Sequence, residues 1–448
     1  MPSKLITQIQ ALWKRRALEK SCKWSAAELR AHQSRQVRDL LQFARERSPF
    51  FQRFHRGLEN KPLEELPILT KTTLMENFDE LVTDRAVRLK DAEAFLHESD
   101  GTGLFRGKYV ALSTSGSTGQ RGVFLFSPAE WIECLASISR PMKWAGVKPN
   151  PFRPLRSTML ASTTPWHYSA RVGRSLTTRA FPSLRLDAAE PVESMVRRLN
   201  EWQPHVIAAY PSVIRQLAEE QFAGRLHIAP RFCATSAEVL TIETRRRIRD
   251  AWGIRVFDTY GATEYAPIAA ECAAGRKHLF EDGAVIEVVD QKGKAVPSGV
   301  LGERVLLTIF NRRTQPLIRY EISDMLRVSD DPCECGRPFR FLAEIEGRQE
   351  DILYFGMVPV HPNVFHRLLE TVPAAGWQVI HENGCLTVNL AGLKDQSVCD
   401  EIAVSIRQLL QGEGVECPPV TVLAVPELRR GKTGKAPLVM AVKHHGNV

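Results

Sequence analysis

The sequence predicts a two-domain α/β protein, and three observations support this prediction. The chain has 448 residues, which is more than one hydrophobic core usually serves. Its composition, 44% hydrophobic and 25% charged, is that of a globular protein. Between about residues 105 and 345, strand-like apolar runs alternate with helical stretches. Such alternation is typical of α/β units with mixed sheets.

The N-terminal part, residues 1–95, is expected to be mainly helical, because apolar side chains recur at helical spacing along Ala26–Arg47. A hairpin turn is expected at Asp290–Lys294. Further elements of the large domain are predicted as a helix over Thr241–Ala251 and strands over Tyr109–Leu112, Val206–Ala209, Val285–Val289 and Val305–Ile309.

The sequence pattern changes near residue 346, where we predict a domain boundary. Beyond it, strands and helices are short and resemble a small α+β module. The expected elements are a strand over Ile352–Phe355, a helix over Pro362–Thr371, strands over Trp377–His381 and Leu386–Leu390, a helix over Asp400–Gln411 and a strand over Val420–Val425. We therefore predict a large domain over residues 1–346 and a small C-terminal domain over residues 347–448.

The charge and the cysteine content indicate which classes of binding partner and which cellular compartment to expect. The net charge of +9 comes from 60 basic and 51 acidic residues, a mild excess without a long basic tail, so we expect no nucleic-acid partner. No apolar run approaches the roughly 20 residues of a membrane helix, so we expect no membrane partner. An odd number of cysteines, nine, argues against a secreted disulfide scaffold and predicts a cytoplasmic protein. The oligomeric state is open, with a homodimer as one option.

The most informative segment is Ser113–Gly122, which reads Ser-Thr-Ser-Gly-Ser-Thr-Gly-Gln-Arg-Gly. Glycines let the backbone approach a ligand closely, hydroxyls donate hydrogen bonds, and successive amides can form a cage for phosphate oxygens. The segment is not a Walker loop, because no Gly-Lys-Ser/Thr closes it. A hydrophilic surface turn is the alternative. The position directly after a strand-like run favours a site for nucleotide phosphates.

Four further segments follow this loop along the chain. They are Tyr260–Glu264 together with Ser236–Glu238, then Ile318–Asp324, Gly347–Asp351 and Arg430–Lys435. In this order the five segments resemble the superfamily of adenylate-forming enzymes, which includes acyl-CoA synthetases and peptide-synthetase adenylation domains. Within it the chain looks most similar to the phenylacetate–CoA ligase branch, over roughly residues 30–440.

This resemblance implies an adenylate-forming large domain, a mobile small lid domain and a two-step reaction. A carboxylic acid would attack ATP to give an acyl-adenylate and pyrophosphate, and the acyl group would then pass to the thiol of coenzyme A. The implied cofactors are ATP, Mg²⁺ and coenzyme A. Because the protein does little covalent work in such a reaction, positioning and charge stabilisation should dominate.

The resemblance also implies a role for each matched residue. Thr263 would approach the α-phosphate, Glu264 would help to bind Mg²⁺, and Asp324 would accept hydrogen bonds from the ribose hydroxyls. Arg348 and Asp351 would belong to the hinge, with Arg348 taking part in catalysis. The remaining nucleotide-binding residues would be Ser113, Thr114, Ser115, Gly116, Ser117, Thr118 and Gly119 at the phosphates, and Ser236, Ala237, Glu238, Tyr260, Gly261 and Ala262 near adenine.

The catalytic lysine implied by the resemblance is Lys435. Lys432 also follows a glycine and competes for this role, whereas the small and apolar residues after Lys435 favour the latter. The chain departs from the family where Arg121 and Gly122 replace a common Pro and Lys, and where Leu438 replaces a common Arg. These departures concern fine geometry and rate.

A metal site is expected from Cys272, His278, Cys333 and Cys335. Three thiols and an imidazole are ligands that tetrahedral zinc prefers. Four unrelated side chains are the alternative. The Cys-x-Cys-Gly-Arg run resembles a feature of some phenylacetate–CoA ligase relatives that carry structural zinc, which favours a structural Zn²⁺ site.

The acid is expected to be aryl or arylacetic, because the positions that would line its pocket in this branch are largely aromatic. These positions are Trp166, His167, Tyr210, Ala237 and Tyr265. Two alternatives to a CoA ligase remain. One is an adenylation enzyme that loads a carrier protein or an amine, and the other is a non-catalytic nucleotide-binding regulator. The joint presence of Glu264, Asp324 and Lys435 argues against the regulator.

Overall fold

The structure is a computed structural model that describes residues 4–98, 100–114, 121–146, 155–177, 182–348, 351–369, 371–372, 374, 376–393, 395, 397–416, 418–431 and 434–442. It consists of two compact units. The first unit comprises Met1–Ser157, Ser162–Arg185 and Phe257–Ile345, and the second comprises Thr158–Ala161, Leu186–Val256 and Glu346–Val448. None of the described helices combines the length and the hydropathy needed to span a bilayer.

The mixture of helices and sheets confirms the predicted α/β class. The helices are α1 (Lys4–Leu18), α2 (Ala26–Arg47), α3 (Pro49–Phe54), α4 (Lys71–Glu76), α5 (Phe78–Leu81), α6 (Leu89–Glu98), α7 (Pro128–Trp144), α8 (Tyr168–Leu176), α9 (Val192–Trp202), α10 (Pro211–Phe222), α11 (Ile242–Trp252), α12 (Pro362–Leu369) and α13 (Ser397–Gly412).

The strands include every run that the sequence predicts as a strand. They are β1 (Val110–Ser113), β2 (Val123–Phe126), β3 (Ser157–Ala161), β4 (Ser183–Asp187), β5 (Val206–Ala209), β6 (Phe232–Ser236), β7 (Val256–Tyr260), β8 (Ala269–Glu271), β9 (Lys277–Leu279), β10 (Ala284–Val289), β11 (Leu301–Gly302), β12 (Arg304–Ile309), β13 (Tyr320–Ile322), β14 (Asp324–Ser329), β15 (Phe341–Arg348), β16 (Leu353–Phe355), β17 (Val358–Val360), β18 (Gly376–Glu382), β19 (Cys385–Ala391), β20 (Val420–Val425) and β21 (Val439–Val442).

Helix α2 begins and ends where the sequence predicts, and its start has a local cause. Ser25 and Glu28 form a capping box, in which the Glu28 amide donates to Ser25 Oγ at 3.2 Å and the Ser25 amide donates to Glu28 Oε2 at 2.6 Å. These bonds satisfy two amides that a helix start leaves without partners. Helix α7 is not among the predicted elements, although Ser127 and Glu130 form the same kind of box.

The first unit contains three sheets. Strands β1 and β2 form an antiparallel pair, β10, β12 and β13 form a second sheet in that order, and β11, β14, β15, β9, β8 and β7 neighbour one another in a third. The predicted turn at Asp290–Lys294 is present, since the Gly293 amide donates to the Asp290 carbonyl at 3.0 Å. The hairpin itself is limited to one bridge between Val289 and Ala295.

The second unit contains strands in the order β6, β5 and β3, with β5 and β6 parallel, and a four-stranded sheet in the order β20, β19, β18 and β21. The latter sheet packs against α12 and α13 around a hydrophobic cluster that runs from Leu353 to Val439. The residues after Leu353 therefore have a core of their own. The predicted domain boundary near residue 346 stays a prediction.

A buried ion pair lies in the core of the first unit. Arg140 Nη1 on α7 lies 2.9 Å from Asp282 Oδ2, and both side chains are at most 2% exposed. Ser21 Oγ donates to the same carboxylate oxygen at 2.5 Å. The Arg140 guanidinium also lies 4.6 Å from the ring centre of Phe280, which stacks on Trp144. The pair thus joins the N-terminal segment, α7 and the segment before β10.

Removing one partner of this pair should be strongly destabilising, because the remaining charge would stay buried without compensation. We expect Asp282→Ala to lower the free energy of unfolding by about 3–5 kcal/mol. Urea denaturation followed by tryptophan fluorescence measures this loss.

The matched control is Glu80→Ala, which breaks an exposed pair with Arg53 whose side chains are 55% and 50% exposed. Its loss should be no more than about 1 kcal/mol. Equal losses for Asp282→Ala and Glu80→Ala would contradict the structural role of the buried pair.

Candidate active site and metal centre

The predicted site residues fall into both units, and each group is described within its own unit. In the first unit lie Ser113, Thr114, Trp166, His167, Tyr260–Tyr265, Asp324 and the four predicted metal ligands; in the second lie Tyr210, Ser236–Glu238, Arg348, Asp351 and Lys435. Ser115, Gly116, Ser117, Thr118 and Gly119, together with the alternative lysine Lys432, lie outside the described residues.

The ends of the predicted phosphate loop are tied together at the base of a hairpin. Strands β1 and β2 pair up to Ser113 and Val123. The Thr114 amide then donates to the Gly122 carbonyl at 3.0 Å, and the Gly122 amide donates to Thr114 Oγ1 at 2.8 Å. Lys71 Nζ donates to the same hydroxyl at 3.3 Å. Lys71 therefore adds a positive charge beside the predicted phosphate loop, a role that its distant position in the sequence does not indicate.

The segment after β7 folds back sharply and places Thr263 and Glu264. The Ala262 amide donates to the Tyr265 carbonyl at 3.1 Å. A Cβ at Gly261 would lie 2.9 Å from the Ala266 Cβ, so this close approach requires glycine. Thr263 is half-buried at this turn, and Glu264 is buried.

Glu264 is joined to the predicted ribose segment by a hydrogen bond. Tyr320 Oη donates to Glu264 Oε1 at 3.0 Å, and burial raises the pKa of Tyr320 well above its ordinary value. The hydroxyl therefore stays protonated and can donate. Asp324 opens β14 four residues later and is partly exposed. The fold thus ties two of the five segments to each other within the first unit.

Arg319 holds Tyr320 in place from the preceding position. Its side chain is buried, forms an ion pair with Glu287 at 3.0 Å and donates to the Leu66 carbonyl at 2.5 Å. Its φ of 48° lies in the left-handed region, which is strained for a residue with a side chain. These contacts determine the conformation at the start of β13.

In the second unit, predicted residues gather at the carboxyl ends of two parallel strands. Tyr210 follows β5 directly, and Ser236 ends β6. Ala237 then adopts a φ of 70°. Lys435 Nζ lies 5.6 Å from the centre of the Tyr210 ring. The carboxyl ends of strands in α/β sheets are where ligands commonly bind.

Glu238 connects this edge to the segment that carries Lys435. Its carboxylate accepts hydrogen bonds from the Ser212 amide at 2.9 Å, from Ser212 Oγ at 3.1 Å and from the Ala436 amide at 2.9 Å. Burial is the largest influence on its pKa, which is raised. All three of these hydrogen bonds join the Glu238 carboxylate to other groups of the protein. The predicted role of Glu238 near adenine stays a prediction.

We call residues 430–436 the lysine loop; Lys432 and Thr433 of it are not described. The Gly431 amide donates to the Lys435 carbonyl at 2.8 Å. Arg430, to which the sequence analysis gives no role of its own, donates to the Ala188 carbonyl at 3.1 Å and to Gln216 Oε1 at 2.6 Å. A Cβ at Gly434 would lie 2.7 Å from the Ala188 carbonyl carbon. The loop therefore packs closely against the segment after β4.

The predicted hinge lies where β15 ends. Gly347 has a φ of 118°, and Arg348, the last residue of the strand, is exposed. Asp351 is half-buried. Their roles in a hinge and in catalysis stay predictions.

The predicted pocket residues have different surroundings. The Trp166 carbonyl accepts a hydrogen bond from the Ser113 amide at 3.1 Å, which places Trp166 beside the phosphate loop. His167 Nδ1 lies 2.8 Å from Ser162 Oγ. Tyr265 belongs to the hydrophobic core, and its hydroxyl donates to the Phe280 carbonyl at 2.9 Å. The acid pocket itself stays a prediction.

The structure brings the four predicted metal ligands together. Cys272 follows β8, His278 lies on β9, and Cys333 and Cys335 lie in the segment before β15, where Phe341 pairs with His278. Their ligand atoms all lie within 4.8 Å of one another. The turn Cys333–Gly336 is closed by a 2.9 Å bond from the Gly336 amide to the Cys333 carbonyl.

The geometry of this cluster fits a tetrahedral zinc ion. Cys272 Sγ and Cys333 Sγ are 3.8 Å apart, and Zn–S bonds of about 2.3 Å at tetrahedral angles would place two sulfurs about 3.8 Å apart. His278 Nε2 lies 3.1 Å from Cys335 Sγ, while His278 Nδ1 lies 2.8 Å from the Phe339 carbonyl. Nδ1 therefore carries the proton, and Nε2 can bind a metal.

Comparison with known proteins finds similar enzymes. The model of the AMP-binding enzyme family matches residues 109–308. The phenylacetate–coenzyme A ligase of Thermus thermophilus is 25% identical over 368 residues, covering 77% of this chain and 76% of that protein. The phenylacetate–coenzyme A ligase of Pseudomonas putida is 30% identical over 234 residues, covering 49% of this chain and 52% of that protein.

A solved structure shows the same fold. The structure of 2-hydroxyisobutyryl-CoA ligase in complex with 2-HIB-AMP matches with a TM-score of 0.74 and 18% identity, over 95% of this chain and 92% of that one. At this identity the likeness concerns the fold alone. Residues 109–308 thus match the AMP-binding enzyme family, and the chain is similar in sequence to the phenylacetate–coenzyme A ligases.

Proposed function

We propose that the protein is an ATP-dependent, AMP-forming acid–CoA ligase. An oxygen of the carboxylic acid attacks the α-phosphorus of ATP, forming the acyl-adenylate and releasing pyrophosphate. The thiol of coenzyme A then attacks the acyl carbon, forming the thioester and releasing AMP. The two related ligases from Thermus thermophilus and Pseudomonas putida, whose names give phenylacetate and coenzyme A, support this proposal.

The observation that carries the proposal is the position of Lys435 at the carboxyl ends of β5 and β6. Its ammonium lies 5.6 Å from the Tyr210 ring centre, on a loop held by Glu238 and Arg430. A lysine ammonium has three donors, which can bind both the carboxylate and the α-phosphate. Charge stabilisation of this kind acts where negative charges meet during attack. A protein that only binds nucleotides would not need a lysine held there.

The other residues would position the nucleotide. Ser113 and Thr114, with Lys71 beside them, would bind the phosphates that leave, and Asp324 would bind the ribose. Glu264, buried and fixed by Tyr320, would hold Mg²⁺, a hard ion that prefers carboxylate oxygen and neutralises phosphate charge. Such positioning lowers the entropic cost of bringing two anions together.

The second step is proposed to need a movement of the small domain. The residues after Leu353 have their own hydrophobic core, which supports a lid domain over residues 347–448 that turns about Asp351. Rotation of this kind would take Lys435 away and leave room for the thiol of coenzyme A.

The acid is proposed to be aryl or arylacetic. The aromatic residues Trp166 and Tyr210 support this substrate class, since flat rings bind well against aromatic side chains.

Coenzyme A is the proposed acceptor of the acyl group. A carrier-protein thiol or an amine is the alternative to test. We place the enzyme in the cytoplasm, where ATP and coenzyme A are available.

We further propose one structural zinc ion per chain, bound by Cys272, His278, Cys333 and Cys335. Four protein ligands leave no position for a reacting water, so the ion would stabilise and not catalyse. Within the first unit it would brace the hairpin of β8 and β9 against the segment that follows β14.

Lys435→Ala should impair the first step and spare the second, because only the first brings two anions together. Removing one stabilising donor typically costs on the order of 10²–10³ in rate. ATP–pyrophosphate exchange with a panel of carboxylic acids measures the first step, and thioester formation from added acyl-adenylate and coenzyme A measures the second. Lys292→Ala, on an exposed turn, is the control. Equal loss in both steps would contradict the assignment.

Asp324→Ala should weaken the use of ATP more than that of the acid, since a charged acceptor for two ribose hydroxyls is lost. A loss of roughly 1.5–3 kcal/mol, or about ten- to a hundredfold in kcat/KM for ATP, is expected. Exchange kinetics at varied ATP and at varied acid separate the two substrates. Asp330→Ala, an exposed carboxylate nearby, should change neither. Unchanged ATP kinetics in Asp324→Ala would remove the ribose role.

Zinc content and stability test the metal centre together. Elemental analysis of protein purified without a metal-binding tag should find one equivalent of zinc. Cys333→Ser should lower both the zinc content and the melting temperature, whereas Cys385→Ser, at an exposed cysteine, should lower neither. A stable protein with all four ligands and far less than one equivalent would exclude the site.

A further inference from the structure

We propose that Glu238 is a positioning residue that docks the lysine loop for adenylate formation. The inference deepens the proposed function and rests on it. Glu238 itself would not touch the reacting atoms. It would act through Ala436, the residue next to Lys435 in the chain.

The contacts of Glu238 show how such docking works. One carboxylate oxygen, Oε1, accepts from the Ala436 amide at 2.9 Å and from Ser212 Oγ at 3.1 Å, while Oε2 accepts from the Ser212 amide at 2.9 Å. Ser212 lies in the first turn of α10, where amides lack helical partners. The carboxylate therefore bridges a rigid helix start and the backbone of the lysine loop.

This bridge fixes the backbone next to the lysine, which has further anchors on the same side. Ala436 is 2% exposed, and Arg430 at the other end of the loop donates to Gln216 Oε1 on α10 at 2.6 Å. Both anchors lead to α10, whose first residues follow Tyr210. The loop is thus held at both ends to the helix that begins beside the Lys435 ammonium.

The bridge depends on the acceptor oxygens of the Glu238 side chain, which accept from the Ala436 amide and from Ser212. Glutamine keeps one side-chain oxygen acceptor, whereas alanine has none. The bond to the Ala436 amide is one polar contact of modest net strength, because it replaces a hydrogen bond to water. That combination suits a loop that must be positioned for one step and released for another.

Amide hydrogen exchange tests the contact without reference to activity. In Glu238→Ala the Ala436 amide loses its acceptor, so its exchange should accelerate by about tenfold, whereas amides of the β18–β19 pair should be unchanged. In Glu238→Gln a side-chain oxygen remains, so protection at Ala436 should be largely retained. Unchanged exchange at Ala436 in Glu238→Ala would overturn the proposal.

Kinetics of the two half-reactions test the consequence. Glu238→Ala should slow ATP–pyrophosphate exchange about ten- to a hundredfold, with thioester formation from added acyl-adenylate unchanged or faster. Glu238→Gln should recover most of the exchange rate. Glu201→Ala, which removes an exposed carboxylate from the same unit, is the control and should match the unchanged enzyme.

The outcomes separate the inference from the proposed function. If the unchanged protein supports no exchange with any acid, the proposed function fails, while the hydrogen-exchange result still decides whether Glu238 holds the loop. If Glu238→Ala slows both half-reactions equally, or slows neither, the proposal that Glu238 positions the lysine loop for adenylate formation is wrong. Should Glu238→Ala fail to fold, the double variant Ser212→Ala with Glu238→Gln is a milder test. It removes the Ser212 hydroxyl donor and the carboxylate charge, and it leaves the helix start of α10 in place.

Discussion

The hydrogen bond from Tyr320 to Glu264 is the contact on which the first unit's part of the site depends. It joins residues 56 positions apart in the sequence at 3.0 Å. The tyrosine is fixed by the chain before it, where Arg319 forms a buried ion pair and donates to backbone carbonyls. The orientation of one carboxylate is therefore determined by a strand, a buried arginine and a strained backbone position together.

The second unit holds its part of the site by other means. Its described polar contacts with the lysine loop end on Glu238 after β6, on α10 and on the backbone after β4. Hydrogen bonds of this kind orient the loop but add little net stability, since each replaces a hydrogen bond to water. The buried pair of Arg140 and Asp282 thus contributes to the stability of the first unit, whereas polar contacts suit the reversible docking that we propose for the lysine loop.

Much of the fold could be predicted because its signals are local. Apolar spacing and the Ser25–Glu28 box define α2, and β-branched runs define strands such as β5 and β20. The cysteine spacing, together with the family resemblance, selected the four residues that the structure brings together. The contacts of Lys71 with Thr114, Tyr320 with Glu264 and Ala436 with Glu238 could not be predicted, since each depends on how distant segments pack.

Gly434 has a consequence for the energetics of the lysine loop. Its φ of 76° and its contact with Ala188 exclude a side chain, so docking requires the residue that loses most backbone entropy when it is fixed. In the proposed two-step cycle, that entropy would be lost each time the loop docks and regained each time it leaves. The glycine that permits the close approach would therefore also favour departure of the loop.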